Sequence, residues 1–138
     1  MKLLIVGCGR VGSRIAAEMA AQGHNVAVVD ADPEALQRLP EDWPGTFVQG
    51  HGLDVEVLQE AGVETADAMV VATSGDNTNI VIAQIAKERF HVPTVVTRVL
   101  DPGRAKFYRT LGLQTVCPTS AAIDELTGAV QATTGRGG

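Results

Sequence analysis

Short apolar runs recur along the chain at residues 3–6, 26–29, 69–71 and 95–99, each rich in valine, leucine or isoleucine, with shorter mixed runs at 46–49 and 114–117. Runs of three to five mostly apolar residues predict strands buried on both faces of a parallel sheet. Helical stretches lie between them. Asp32-Pro33-Glu34 and Asp101-Pro102 each put an N-cap residue before a proline at the first helical position, where the missing N–H costs little. Over residues 10–21, Val11, Ile15 and Met19 recur at every fourth position. Gly12, Ala16 and Ala20 form a row of small residues beside them, suited to close packing on a sheet, and Gly23 offers a stop.

The repeated order of strand, helix, strand predicts an α/β fold. Its expected form is a Rossmann-like, doubly wound, parallel six-stranded sheet of order 3-2-1-4-5-6, with right-handed crossovers and helices on both faces. Residues 80–90 carry apolar side chains at seven positions, more than one stripe facing a sheet requires. Either this helix sits at the centre of the fold, or it has a second buried face at a dimer contact. Ile123, Leu126 and Val130 keep helical spacing in the last element, after which the pattern is lost. The expected organisation is one nucleotide-binding domain over residues 1–130 and a flexible tail over 131–138.

A chain of 138 residues suffices for one domain with a sizeable core, and is too short for a cofactor domain joined to a full catalytic domain. Its net charge of −5 presents no bulk positive field to nucleic acid or anionic lipid. The first apolar run is far below the roughly 20 residues of a membrane span, so no direct insertion is expected. Cys8 and Cys117 are too few for a disulfide framework or a zinc cluster, which fits a reducing cytoplasm.

Gly7-Cys8-Gly9-Arg10-Val11-Gly12 matches G-x-G-x-x-G directly after a predicted strand and at the start of a predicted helix. The first glycine permits a tight turn, the second admits a pyrophosphate to the backbone, and the third allows helix and strand to pack closely. Asp30 follows 18 residues past the third glycine, at the end of the second strand, where a carboxylate accepts hydrogen bonds from an adenosine ribose. Together these point to an adenine nucleotide, and the charge on Asp30 disfavours NADP while leaving NAD(H), ADP and ATP open. Arg10 is either a fork onto a terminal phosphate or a solvated arginine on the first helical turn.

Past the fourth strand, Thr73 and Asn79 are candidate ligands among Thr73-Ser74-Gly75-Asp76-Asn77-Thr78-Asn79, whereas Asp76 or Asn77 is expected to cap the next helix. His51, in Gly50-His51-Gly52, either contacts the adenine or stands in solvent. Arg98 ends the fifth strand and makes either a phosphate contact or an ion pair. Hydride-transfer machinery is missing from this inventory: His24 and His91 fall in turns away from the expected crevice, and Tyr108 has no lysine four residues on. The reading is a nucleotide-binding module without enzymatic chemistry; the alternative is the cofactor domain of an NAD-dependent dehydrogenase.

These motifs, with Leu58-Gln59-Glu60-Ala61-Gly62-Val63, Leu111-Gly112 and Val116-Cys117-Pro118 in their order and spacing, resemble the TrkA N-terminal, or RCK/KTN, family over about residues 1–130. The resemblance implies a cytoplasmic regulatory subunit of a potassium transporter or channel. Such a subunit binds NAD(H), ADP or ATP, forms dimers or rings, and docks beneath an integral-membrane partner at the inner membrane. It further implies that Gly7, Gly9 and Gly12 cradle phosphates, that Arg10 approaches the distal phosphate, that Asp30 holds the ribose, and that Thr73 and Arg98 line the nicotinamide or terminal-phosphate side. The full candidate set adds Val11, Ala31, Asp32, Gly50, His51, Ser74, Gly75 and Asn79. Two departures stand out: His51 occupies a position where the family often carries aspartate or asparagine, and many members continue into a second small domain.

Overall fold

The computed structural model describes residues 1–137, with side-chain surroundings through Thr133. Six strands, β1 (Lys2–Val6), β2 (Asn25–Asp30), β3 (Thr46–Gln49), β4 (Ala68–Val71), β5 (Thr94–Arg98) and β6 (Gln114–Val116), form one sheet of order β3-β2-β1-β4-β5-β6. Every neighbouring pair is parallel. The expected architecture is observed, and the strand order reverses between β1 and β4, which opens a crevice at the carboxyl ends of the strands.

Alternation along β1 sends Leu4 and Val6 to one face and Leu3 and Ile5 to the other, and each set joins its own buried cluster. The first face is covered by α2 (Val55–Glu60) through Leu58 and by α3 (Asp76–Gln84) through Ile82 and Ala83. The second is covered by α1 (Arg10–Ala21) and by a 3-10 turn over Pro33–Arg38, which supply Ala16 and Ala35. In α1 the small-residue row faces the sheet: Gly12 and Ala16 are buried, Ile15 and Met19 pack partly, and Val11 is exposed. Gly23 ends the helix at φ +90°, with its N–H bonded to the Ala20 carbonyl and that of His24 to Met19.

Asp32 and Asp101 accept hydrogen bonds from the N–H groups of Glu34 and Arg104, as the Asp-Pro starts predict. After Asp32, however, the chain makes only the six-residue 3-10 turn rather than a full helix. α4 (Pro102–Thr110) packs through Ala105 on Ile80 of α3, Val99 and Cys117. The apolar excess over residues 80–90 is explained from within the fold. α3 continues as a π-helical turn (Ile85–Arg89), Ile82, Ala83 and Ala86 enter the first cluster, Ile80 enters the third, and Val81 is exposed.

α5 (Pro118–Gly137) runs on past Val130, because a helix once nucleated continues at low cost through residues that carry no apolar pattern. Its Ile123, Leu126 and Val130 are all more than half exposed. Among the described residues no helix is long and apolar enough to cross a membrane, and no cluster of side chains is suited to a metal ion.

Candidate functional site

A cleft of about 520 Å³ lies across the carboxyl ends of β1 to β5, within the size range of small-molecule sites. It is built from the turns that leave each strand: Gly7 and Gly9 after β1, Asp30 and Ala31 at β2, Gly50 and His51 after β3, Thr73, Ser74 and Gly75 after β4, and Arg98 at β5. Ten of the fifteen candidate residues line it.

The three glycines of the first turn differ in their surroundings. Gly7 has φ +103°, and a Cβ there would stand 2.5 Å from the Ala72 carbonyl oxygen. A Cβ on Gly12 would stand 1.8 Å from the Gly7 carbonyl oxygen, so helix and turn are in direct backbone contact. At Gly9 a Cβ would meet nothing within 4 Å. That open volume beside the cleft is the space a phosphate needs to approach the backbone.

Gly9 is also the N-cap of α1 and has no side-chain cap, and Gly75 caps α3 in the same way. By contrast α2, α4 and the first 3-10 turn, which begin outside the cleft, are each capped by an aspartate. Two helices thus present unused N–H groups and the positive ends of their dipoles to one cleft, an arrangement that suits an anion.

Asp30 is more than a wall of this cleft. Its Oδ2 accepts from the Cys8 N–H at 2.7 Å and its Oδ1 from the Asp32 N–H at 2.8 Å, so it pins the glycine turn to the end of β2. A carboxylate has about four acceptor sites and retains capacity for a ribose. Asp30→Ala is therefore expected to destabilise the nucleotide-free protein by about 1.5–3 kcal/mol through the orphaned Cys8 N–H, measured by urea unfolding; a variant as stable as its parent would contradict this role. Cys8 itself is fully buried, with its thiol directed at the Ala35 carbonyl. Burial pushes that thiol above its ordinary pKa, the Asp30 carboxylate adds to the rise and the Arg38 guanidinium opposes it. It is a protonated filler rather than a nucleophile.

At the other end, Arg98 donates from Nη2 to the carbonyls of Ala72 at 3.2 Å and Thr73 at 2.8 Å. Its Nε is buried without an acceptor, and among the described residues no carboxylate pairs with it. Among the described residues its partners are the two carbonyls, which leaves a guanidinium on the cleft wall whose charge is met by carbonyl dipoles.

Five candidates stand elsewhere. Asn79 is fully buried and its amide is used up internally. Oδ1 accepts from the Thr73 N–H and hydroxyl, while Nδ2 donates to the Thr73 and Arg98 carbonyls. It positions Thr73 and Arg98 and does not line the cleft. Gly12 is consumed by packing, Val11 points outward, Asp32 caps its turn, and Arg10 is exposed at the first position of α1, outside the cleft lining.

The expected cap on α3 is also corrected. Asp76 instead accepts from the N–H groups of Leu100 at 2.7 Å and Asp101 at 3.0 Å, and Asn77 accepts from Arg104, because the β5–α4 loop lies directly over the start of α3. Residues not anticipated are Arg38, Thr78, Gly52 and the apolar walls Val6, Val29, Ala72 and Ile82. The walls were recognisable as strand and helix core, but only the assembled fold turns their ends toward the cleft.

The TrkA-N domain model matches residues 3–119, most of the chain. The chain belongs to the TrkA-N domain family. As a TrkA-N domain it is 44% identical over 126 residues to the Trk system potassium uptake protein TrkA of Streptomyces coelicolor, covering 91% of this chain and 56% of that protein. It is 31% identical over 108 residues to a TrkA homolog of Pyrococcus abyssi, covering 78% and 48%. The chain thus spans about half the length of these relatives. Among solved structures, the AMP-bound Kef CTD of Shewanella denitrificans superposes with a TM-score of 0.81 at 23% identity, covering all of this chain and 83% of that one. GsuK bound to ADP superposes with a TM-score of 0.79 at 20% identity, covering 96% and 34%. At these identities the superpositions establish the shared fold.

Proposed function

We propose that this TrkA-N domain is a nucleotide-sensing regulatory part of a potassium uptake system, binding NAD(H), ADP or ATP in the cleft and passing occupancy on as a conformational change. The observation that carries the reading is the pair of uncapped helix N-termini, at Gly9 and Gly75, that open on one cleft, with Asp30 at one end of it and Arg98 at the other. Gly7 and Gly9 would hold phosphate, Asp30 the adenosine ribose, and Thr73, Ser74 and Arg98 the distal phosphate or nicotinamide side. The names of its relatives support the potassium connection. The ligands of the AMP- and ADP-bound structures support an adenine nucleotide.

A cytoplasmic position at the inner membrane, held there by an integral-membrane partner, follows from the same reading, as does assembly into dimers or rings. The exposed row of Ile123, Leu126 and Val130 on α5 suits self-association better than residues 80–90, which the core absorbs. The route from cleft to periphery is also at hand. Ser74, Gly75 and Thr78 line the cleft, and the next residues Asp76 and Asn77 grip Leu100, Asp101 and Arg104 at the start of α4. A ligand that orders the first segment biases the second, to the extent that it binds one arrangement better than the other.

Isothermal titration with ADP, ATP and NAD, followed by chromatographic recovery of the nucleotide, tests binding without turnover. The expected result is saturable binding with the nucleotide returned intact. Hydrogen exchange on the same samples should slow at the Leu100 and Asp101 amides when nucleotide is added. Consumption of the nucleotide, or protection confined to the cleft turns, would contradict the sensing role.

A further inference from the structure

The peptide group of Cys8 is held from both sides by side chains of opposite charge. Its N–H donates to Asp30 Oδ2 at 2.7 Å, and its carbonyl accepts from Arg38 Nη1 at 3.0 Å. Asp30 and Arg38 both line the cleft at the end of β2, yet no ion pair joins them. Among the described residues the exposed Arg38 side chain bonds through Nη1 alone, so its guanidinium is anchored by one nitrogen and offers Nε and Nη2 to whatever enters. Arg38 reaches this place because the 3-10 turn after β2 folds back over the glycine turn.

We propose that Arg38 is the donor half of a pair that reads the adenosine ribose, with Asp30 as the acceptor half, and that the pair selects nucleotides with an intact 2′,3′-diol. This rests on the adenine-nucleotide reading above and names a specificity residue for it. Each ribose hydroxyl is both a donor and an acceptor, whereas a carboxylate only accepts and a guanidinium only donates. Asp30 alone can satisfy the hydroxyl protons and leaves the hydroxyl oxygens to water. A guanidinium fixed beside it supplies the complementary donors from a geometry already ordered by the Cys8 carbonyl, so little further side-chain freedom is lost on binding. An analogue that lacks the hydroxyl forfeits the charge-assisted bonds from both groups.

The test compares ADP with 2′-deoxy-ADP by isothermal titration on the parent protein and on Arg38→Met and Arg38→Lys, with thermal unfolding of each nucleotide-free protein as the control on folding. The parent should favour ADP by about tenfold or more, the loss expected for a charge-assisted hydrogen bond. Arg38→Met should weaken ADP several-fold and leave 2′-deoxy-ADP within about twofold, so that discrimination narrows to what Asp30 supplies; Arg38→Lys should restore part of the difference. Equal weakening of both nucleotides would overturn the proposal and make Arg38 a latch on the glycine turn or a platform for the base. Equal affinity of the parent for the two nucleotides would overturn it alone, leaving the cleft assignment in place. Failure of the parent to bind either would remove the adenine-nucleotide reading and this proposal with it.

Discussion

Gly12→Ala is expected to leave little folded protein. The added methyl would stand 1.8 Å from the Gly7 carbonyl oxygen and 2.9 Å from its carbon, and both are backbone atoms. Gly7 cannot retreat, because its own Cα already faces the Ala72 carbonyl at the end of β4, and its N–H is bonded to the Val29 carbonyl at 2.9 Å. Relief therefore requires α1 to lift off the sheet, taking with it the buried contact of Ala16. Overpacking that forces the backbone to move costs on the order of 3 kcal/mol or more, a large part of the roughly 5–15 kcal/mol that holds a domain folded. The expected result is a drop in melting temperature of more than about 10 °C, or recovery only in aggregates. A variant that melts within a few degrees of its parent would show that helix and turn are not in the contact described.

Gly9→Val, two positions from Gly7 in the same motif, is expected to behave in the opposite way. The residue sits in extended backbone, φ −86° and ψ −153°, which a β-branched residue adopts without strain, and a Cβ there meets no atom within 4 Å. Folding should be nearly unaffected, with stability changing by about 1 kcal/mol or less. The valine side chain would instead fill the space at the mouth of α1 and shut phosphate away from the N–H groups. Nucleotide affinity should fall by about a hundredfold or more, read by titration on a variant whose unfolding curve is unchanged. Within one six-residue motif, then, one glycine is fixed by backbone packing and another faces open space where a phosphate is proposed to bind.

That division shows where the sequence is informative. The strand runs were legible because a parallel sheet buried on both faces demands apolar residues at consecutive positions, and the glycine spacing was legible because each glycine answers a different steric demand. Arg38 was not legible. It lies in a 3-10 turn with no fixed spacing from Asp30, and only the path of the chain after β2 brings its guanidinium to the Cys8 carbonyl. Asn79 misled for a related reason: an amide beside a crevice looks like a ligand, but here all its bonding capacity goes to Thr73 and Arg98. Asp76 carried a cap signature, yet the neighbouring loop offered it two N–H groups in better position. The extent of α5 was hidden because residues past Val130 have no apolar periodicity to mark the helix they continue.

Binding of an adenine nucleotide through the Gly9 opening is checked by thermal unfolding of the parent and of Gly9→Val with and without ADP, ATP and NAD. At a hundred times its dissociation constant a single-site ligand stabilises the native state by about 2.7 kcal/mol, which corresponds to roughly 5–10 °C for a domain of this size. The parent should show that shift with at least one of these nucleotides and Gly9→Val none, from starting melting temperatures within a few degrees of each other. An unshifted parent, or a Gly9→Val protein that is stabilised equally, would contradict it.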